Sequence, residues 1–368
     1  MEKTENLYIN IYDYEDSKFP FQVFIGGRGT GKTYSALNGA EDNKNQFIYM
    51  RRTLDEVEMM SDNKVNKGIN PFKVLNKNKG NDFNIFKTDK KVFTIFENWQ
   101  EEKEIEKKVK NKETKEIETI KETIVVDMKK AHGYALPLST IASVRSMDFS
   151  DVDLIIFDEF IPELHVKKIS HEGDAILNAY ETINRNRELE GLPPCRFYLL
   201  ANSNDIYNDL FITLGIVDDV EKMLKKGITD KYYYDRGLAI HLLSDTSEFI
   251  KKKKETALYK LAKDTSFSDM ALSNKFAYND FSDITYKRLT GYRPICSFDN
   301  EIFLYEKKGS GEVHCSYAKA NCIDFRLNEQ GIRNFNQNFG TRVYQIFVNG
   351  NITFESYAIK QTILDILI

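Results

Sequence analysis

Long apolar runs are missing from this 368-residue chain. None approaches the ~18 residues that a membrane-spanning helix needs. Met1-Glu2-Lys3-Thr4-Glu5 lacks the apolar core of a signal peptide, so the chain is expected to be soluble, to stay inside the cell and to have no membrane partner. Positive charge is not in excess either: the formal net charge is −4. A nucleic-acid partner would therefore be held by local patches rather than by a whole-protein field. Cysteine is scarce. Cys195, Cys296, Cys315 and Cys322 show no C-x-x-C spacing, which argues against a zinc site that would add His314 and favours free thiols in a reducing compartment. Proline numbers only seven, and no internal repeat is visible.

What is present is organised around Gly26-Gly27-Arg28-Gly29-Thr30-Gly31-Lys32-Thr33. This stretch fits G-x-x-x-x-G-K-[ST]. The run Phe21-Gln22-Val23-Phe24-Ile25 before it reads as a buried strand, and Tyr34, Leu37 and Ala40 begin a helical spacing after it. Strand, glycine loop and helix together make a phosphate-binding loop. Its glycines let backbone N–H groups face phosphate oxygens, and the helix N-terminus favours negative charge. Lys32 is expected at the β- and γ-phosphates, and the Thr33 hydroxyl on Mg²⁺. Gly26 to Thr33 with Asp158 are thus the expected nucleotide-binding residues, and Thr33 and Asp158 the expected metal ligands.

Val152 to Phe157 is the most apolar strand, and it ends in Asp158-Glu159. Asp158 is expected to face Mg²⁺ opposite Thr33, with Glu159 as the general base for water. A kinase would not need that second acid, so Glu159 favours hydrolysis. Asn202 ends the next apolar strand, Arg196 to Asn202, where it can sense a γ-phosphate; Ser203 and Asn204 are rivals. Arg185-Asn186-Arg187 closes the helix between those strands. It reads either as ordinary solvated arginines at a helix end or as an arginine finger for a neighbouring subunit.

Strands at 46–50 and 133–138 and a capping box at Thr53 and Glu56 complete an alternating pattern. It predicts an α/β fold with a mostly parallel, doubly wound sheet. Residues 64–79 read as loop, 83–96 as a hairpin, and Glu101 to Glu122 as a charged excursion, hairpin or helical. After about residue 210 the pattern is helical. From about 285 it is short strands and turns, with a hairpin signal at Asn349-Gly350-Asn351, and a helix from Tyr357 to Ile368 closes the chain. The expected domains are an ATPase domain at 1–210 with an insertion at 77–125, a helical lid or linker at 211–284, and a small β-rich domain at 285–368. Lys251 to Lys254, and alternatively Lys64 and Lys67, are candidate contacts to a phosphate backbone.

The series Phe24 to Thr33, Gln46 to Arg52, Ala135 to Ser139, Ile156 to Ile161, Arg185 to Glu188 and Ala201-Asn202 resembles the DNA-packaging ATPases of small, salasvirus-like podoviruses with protein-primed genomes. The resemblance covers roughly residues 20–205 and continues more weakly through Ser247 to Phe276. It implies an ASCE-type P-loop NTPase with a vestigial RNase H-like C-terminal domain. It also implies a homo-oligomeric ring, a pentamer, docked transiently on the portal (connector) protein of the procapsid in the host cytoplasm and absent from the mature virion. ATP hydrolysis there drives double-stranded DNA inward. Carried over by position, Lys32 and Thr33 are Walker A, Asp158 and Glu159 Walker B, Arg185 the trans-acting finger and Asn202 the sensor. Arg28 matches the arginine within the phage Walker A loop, and Arg145 a basic residue acting across the subunit boundary. The 77–125 insertion exceeds the family's short hairpin, and nothing in the residues decides for or against a packaging RNA. Competing readings are another virion-assembly or helicase-like P-loop ATPase, a nucleotide-regulated capsid assembly factor with little turnover, and a kinase.

Overall fold

The computed structural model describes residues 7–62, 68–110, 117–163, 166–244, 247–263, 265, 268 and 279–368. The chain forms two units, one of residues 1–203 with 230–275 and one of 204–229 with 276–368. In chain order the elements are β1 (Phe21–Gly26), α1 (Lys32–Asp42), β2 (Phe47–Arg51), α2 (Leu54–Met60), α3 (Lys73–Lys79), β3 (Phe83–Lys87), β4 (Phe93–Lys110), β5 (Ile117–Pro137), β6 (Leu154–Asp158), α4 (Glu172–Asn184), β7 (Arg196–Asn202), α5 (Asp209–Leu214), α6 (Val217–Lys226), β8 (Asp230–Tyr233), β9 (Leu238–Leu242), α7 (Ser247–Lys254), α8 (Ala257–Leu261), β10 (Tyr292–Phe298), β11 (Ile302–Lys307), β12 (Val313–Ser316), β13 (Ile323–Phe325), α9 (Glu329–Phe335), α10 (Thr341–Val348), β14 (Ile352–Phe354) and α11 (Tyr357–Leu367).

The first unit is built on a nine-stranded sheet in the order β3-β4-β5-β2-β6-β7-β1-β9-β8. From β5 to β9 every pairing is parallel. Central strands β1, β6 and β7 are almost wholly buried, as expected of parallel strands covered on both faces. Phe24, Ile156, Tyr198 and Leu200 pack with Ala36, Leu37 and Ala40 of α1 on one face. On the other face, Tyr180 of α4 stacks on Phe197 at 5.9 Å and tilts against Phe21 at 4.5 Å. The sheet is therefore doubly wound, and β7 separates the glycine-loop strand β1 from β6.

The charged excursion is an antiparallel ribbon: β4 and β5 pair from Phe93↔Ala135 out to Lys110↔Ile117. At its base Lys129 lies over the rings of Phe86 and Phe96, at 4.1 and 3.7 Å. Close to the sheet, Gly133 sits at φ +155, and a Cβ there would lie 2.0 Å from the Phe47 carbonyl oxygen.

Four sequence expectations change. Within 64–79, Lys73–Lys79 is helical, with Gly80 in the left-handed conformation as its stop. The segment after 210 is not all helix, because β8 and β9 add to the sheet beside β1. Apolar residues at Leu238, Ala239 and Ile240 are buried there. Residues 329–348 are largely helical rather than short strands. Asn349-Gly350-Asn351 ends α10, Asn351 N–H donating to the Ile346 carbonyl, and is not a hairpin.

The second unit carries a five-stranded sheet in the order β13-β10-β11-β12-β14. Cys296, Leu304, Cys315 and Phe354 of the sheet form its core with Ile359 and Ile363 of α11. Buried Glu221 of α6 accepts from the Tyr357 N–H at 2.8 Å, which ties α6 to the start of α11. Cys195, Cys296 and Cys315 are buried free thiols, and Cys322 is a half-buried one. Among the described residues no helix is long and apolar enough to cross a membrane.

Two outcomes follow from this packing. Gly133→Ala is expected to lower stability by about 1–3 kcal/mol, because strand backbone must move to admit the methyl group; thermal unfolding reads it. His314 is buried, with Nδ1 3.0 Å from Thr353 Oγ1, and burial, aided by the charge of Lys287, holds its pKa below the ordinary value. Its contribution is therefore complete above the unfolded value, about 6.5, and is lost as pH falls from there toward the lowered folded value. His314→Gln is expected to flatten the pH dependence of unfolding in that window.

Candidate functional site

The parallel register sets the site. Gly26 at the end of β1 lies opposite Asn202 at the end of β7, and β7 in turn places Asp158 at the end of β6 beside it. Ligands of open α/β sheets sit outside these carboxyl ends. Here a cavity of about 470 Å³ is lined by residues 28–34, Asp158, Glu159, Glu163, Ala201 and Asn202. Nine of the thirteen site residues expected from the sequence meet in that cavity: Arg28, Gly29, Thr30, Gly31, Lys32, Thr33, Asp158, Glu159 and Asn202.

The loop has the backbone that its glycines allow. Gly29 and Gly31 have φ of +74° and +98°, a region that side chains avoid. Thr30 Oγ1 donates to the Gly27 carbonyl at 3.0 Å and stiffens the turn. The Lys32 ammonium donates to the carbonyls of Gly26 and Gly27 and to Asn202 Oδ1, at 3.1, 2.7 and 3.2 Å. The Thr33 hydroxyl lies 3.1 and 2.9 Å from the two Asp158 carboxylate oxygens.

Asp158 is buried and crowded. Tyr49 Oη donates to its Oδ2 at 2.7 Å, and Arg51 Nη1 reaches the same oxygen at 3.4 Å. Burial raises its pKa despite the opposing pull of Arg51, Tyr49 and Thr33. Burial, and then the neighbouring Asp158 charge, likewise push the Tyr49 phenol well above its ordinary value. Arg51 also binds Glu159 at 2.6 Å and Glu56 at 3.1 Å, so one guanidinium gathers three acids. Glu56 is fixed in turn by its capping box with Thr53. Glu159 has φ +59°, a strained conformation for a side-chain-bearing residue, of the kind that collects at functional sites.

Sequence reasoning assigned no role to Tyr49, Arg51 or Glu163. Tyr49 and Arg51 alternate on β2, so both face the same side, and β2 is the parallel neighbour of β6. That period of two was the available signal. Glu163 forms an ion pair with the Arg28 guanidinium at the cavity wall.

Arg145 and Arg185 lie away from the cavity but together. Arg185 Nη2 donates to the carbonyls of Arg145, at 3.0 Å, and Met147, and its Nε to that of Thr182 at 3.3 Å. Of the Lys251–Lys254 cluster, Lys251, Lys252 and Lys254 are exposed. Lys253, a candidate phosphate-backbone contact like the other three, donates to the Arg28 carbonyl at 2.8 Å. Lys64 and Lys67 lie outside the described residues.

The donor set suits a nucleotide with Mg²⁺. The glycine backbone forms a cradle for phosphate, and the hydroxyl and carboxylate of Thr33 and Asp158 are hard oxygen donors. No cluster of three or more His, Cys, Asp or Glu able to hold a metal occurs among the described residues. A hard cation arriving with phosphates needs no such cage.

Comparison with known proteins follows the same line. The family described as podovirus DNA encapsidation protein (Gp16) matches residues 107–291, just over half of the chain. The DNA packaging protein of Bacillus phage phi29 is 32% identical over 148 residues, 40% of this chain and 40% of that protein. The DNA packaging protein of Bacillus phage B103 is 29% identical over 265 residues, 71% of this chain and 64% of that protein. The chain thus aligns with less than two thirds of the length of these relatives. A solved structure of the bacteriophage Phi-29 viral genome packaging motor assembly shares the fold, with a TM-score of 0.60 over 98% of each chain at 20% identity. A nucleotide-type loop at the end of a doubly wound sheet, and the match across the middle of the sequence, lead to one assignment: this chain belongs to the podovirus DNA encapsidation protein (Gp16) family.

Proposed function

We propose that this chain is a ring-forming ATPase that drives double-stranded viral DNA into the procapsid. The observation that carries the ATPase reading is the meeting of Thr33 with both Asp158 oxygens beneath the glycine loop, with Glu159 next in sequence. The family's DNA encapsidation role carries the rest.

In this reading Lys32 and the loop N–H groups bind the triphosphate. Thr33 and Asp158 would hold Mg²⁺, which would supply neutralisation of the charge on the phosphates. Glu159 accepts the proton of the attacking water, which requires it to leave Arg51. Asn202 reports on the phosphate end through Lys32. Arg145 and Arg185 serve the site of a neighbouring subunit in the ring. Arg185 then exchanges exposed hydrogen bonds to its own carbonyls for a phosphate. Lys251, Lys252 and Lys254 are the DNA-backbone contacts. The portal protein of the procapsid is the docking partner, in the host cytoplasm.

A second reading, a nucleotide-regulated assembly factor with little turnover, draws on the grip of Arg51 on Glu159 and of Arg185 on its own chain. Turnover separates the two. For the motor, ATP hydrolysis per subunit is expected to rise with protein concentration. Arg185→Ala is expected to reduce it about 10³–10⁵-fold with ATP binding intact. Glu159→Gln is expected to cost about 10²–10⁴-fold. A rate indifferent to concentration and to Arg185 would defeat the shared-site mechanism.

Asp158→Asn gives a separate check. Because burial raises the pKa of Asp158, ionising it works against the fold as pH rises through that value. The variant is expected to unfold at the same or a higher temperature without nucleotide. It is also expected to lose the thermal stabilisation that Mg²⁺ and ATP give the wild type, about 2.7 kcal/mol at a ligand concentration of 100 Kd.

A further inference from the structure

The segment ahead of β1 is knitted to the phosphate loop more tightly than an ordinary chain terminus. Ile9 N–H donates to the Thr30 carbonyl at 2.9 Å. Ser35 Oγ accepts from Ile11 N–H and donates to Asn10 Oδ1, both at 2.8 Å. The Tyr12 ring lies so close over Gly39 that a Cβ there would be 1.9 Å from it. The arm therefore moves with the loop and with α1 as one body.

This anchoring leaves one large ring in an unusual place. Tyr8 stands against Gly31, where a Cβ would be 3.0 Å from the Tyr8 Cβ and 3.5 Å from its ring. Yet 55% of Tyr8 remains accessible. Phe249 of α7 meets it edge-on, with ring centroids 6.0 Å apart. Behind Phe249, the Lys253 ammonium lies 5.1 Å from that ring's centroid while donating to the Arg28 carbonyl. An accessible aromatic ring, fixed beside the α1 end of a phosphate cradle and backed by a second ring, has the form of a stacking platform for a flat heterocycle.

We infer that Tyr8, backed by Phe249, is the platform on which the purine base of the nucleoside triphosphate stacks. This rests on the nucleotide reading of the loop and deepens it. The triphosphate ends at Lys32 and Thr33, and its nucleoside leaves past Gly31 toward the arm. Lys253 holds α7 to the loop, so the backing ring keeps its place relative to the phosphates.

The test is equilibrium binding by calorimetry, with Mg²⁺, of ATP and of inorganic tripolyphosphate, which has no base. Wild type, Tyr8→Ala, Tyr8→Phe and Lys32→Ala are compared, with thermal unfolding as the check on folding. Tyr8→Ala is expected to weaken ATP about tenfold or more and to leave tripolyphosphate unchanged. Tyr8→Phe, which keeps the ring, is expected to bind ATP like the wild type. Equal weakening of ATP and tripolyphosphate in Tyr8→Ala would overturn the proposal and make the arm a prop for the loop. So would no weakening of either. Wild type that binds neither ligand, with Lys32→Ala indistinguishable from it, would instead overturn the nucleotide site itself and the platform with it.

Discussion

The parallel pairing of β1 with β7, and of β7 with β6, is the constraint on which the rest depends. With β7 interposed, the glycine loop and the acids of β6 end at the same edge of the sheet, one strand apart. Gly26 then faces Asn202 in register, and the Lys32 ammonium spans from the loop carbonyls to that asparagine. A slip of one residue along β7 would reverse every side chain on it and take Asn202 out of reach. The buried apolar faces of β1, β6 and β7 make such a slip costly, so core packing and site geometry are the same constraint.

Charge is concentrated where that constraint brings strand ends together. Asp158 is buried, and an isolated carboxylate there would be strongly disfavoured. Tyr49, Thr33 and Arg51 offset the cost by hydrogen bonds and charge, and Arg51 is itself held by Glu56 and Glu159. The strained backbone at Glu159 belongs to the same arrangement. The Glu159 carboxylate is paired with Arg51 while the residue lines the cavity.

Much of this was legible in the residues. The glycine loop, the Asp158-Glu159 strand end and the Asn202 strand end declare themselves by short-range pattern, and the structure brings them into one cavity. The capping box at Thr53 and Glu56 formed as its spacing implied. Partners that depend on strand order were not legible: Tyr49 and Arg51 matter because β2 neighbours β6, which no local pattern states. Glu163 meets Arg28 only through the fold of the loop after β6. The charged block 101–122 was open between helix and hairpin because alternating Lys and Glu satisfy either period, and long-range pairing with β5 decides it. Lys253 looked like its three lysine neighbours, and only the contact of α7 with the loop sets it apart.

The most direct test of the central claim is nuclease protection of double-stranded DNA by procapsids carrying this protein, with ATP compared against a non-hydrolysable analogue. Full-length protected DNA is expected with ATP and not with the analogue. Protection that is the same with both would contradict a motor driven by hydrolysis at Asp158 and Glu159.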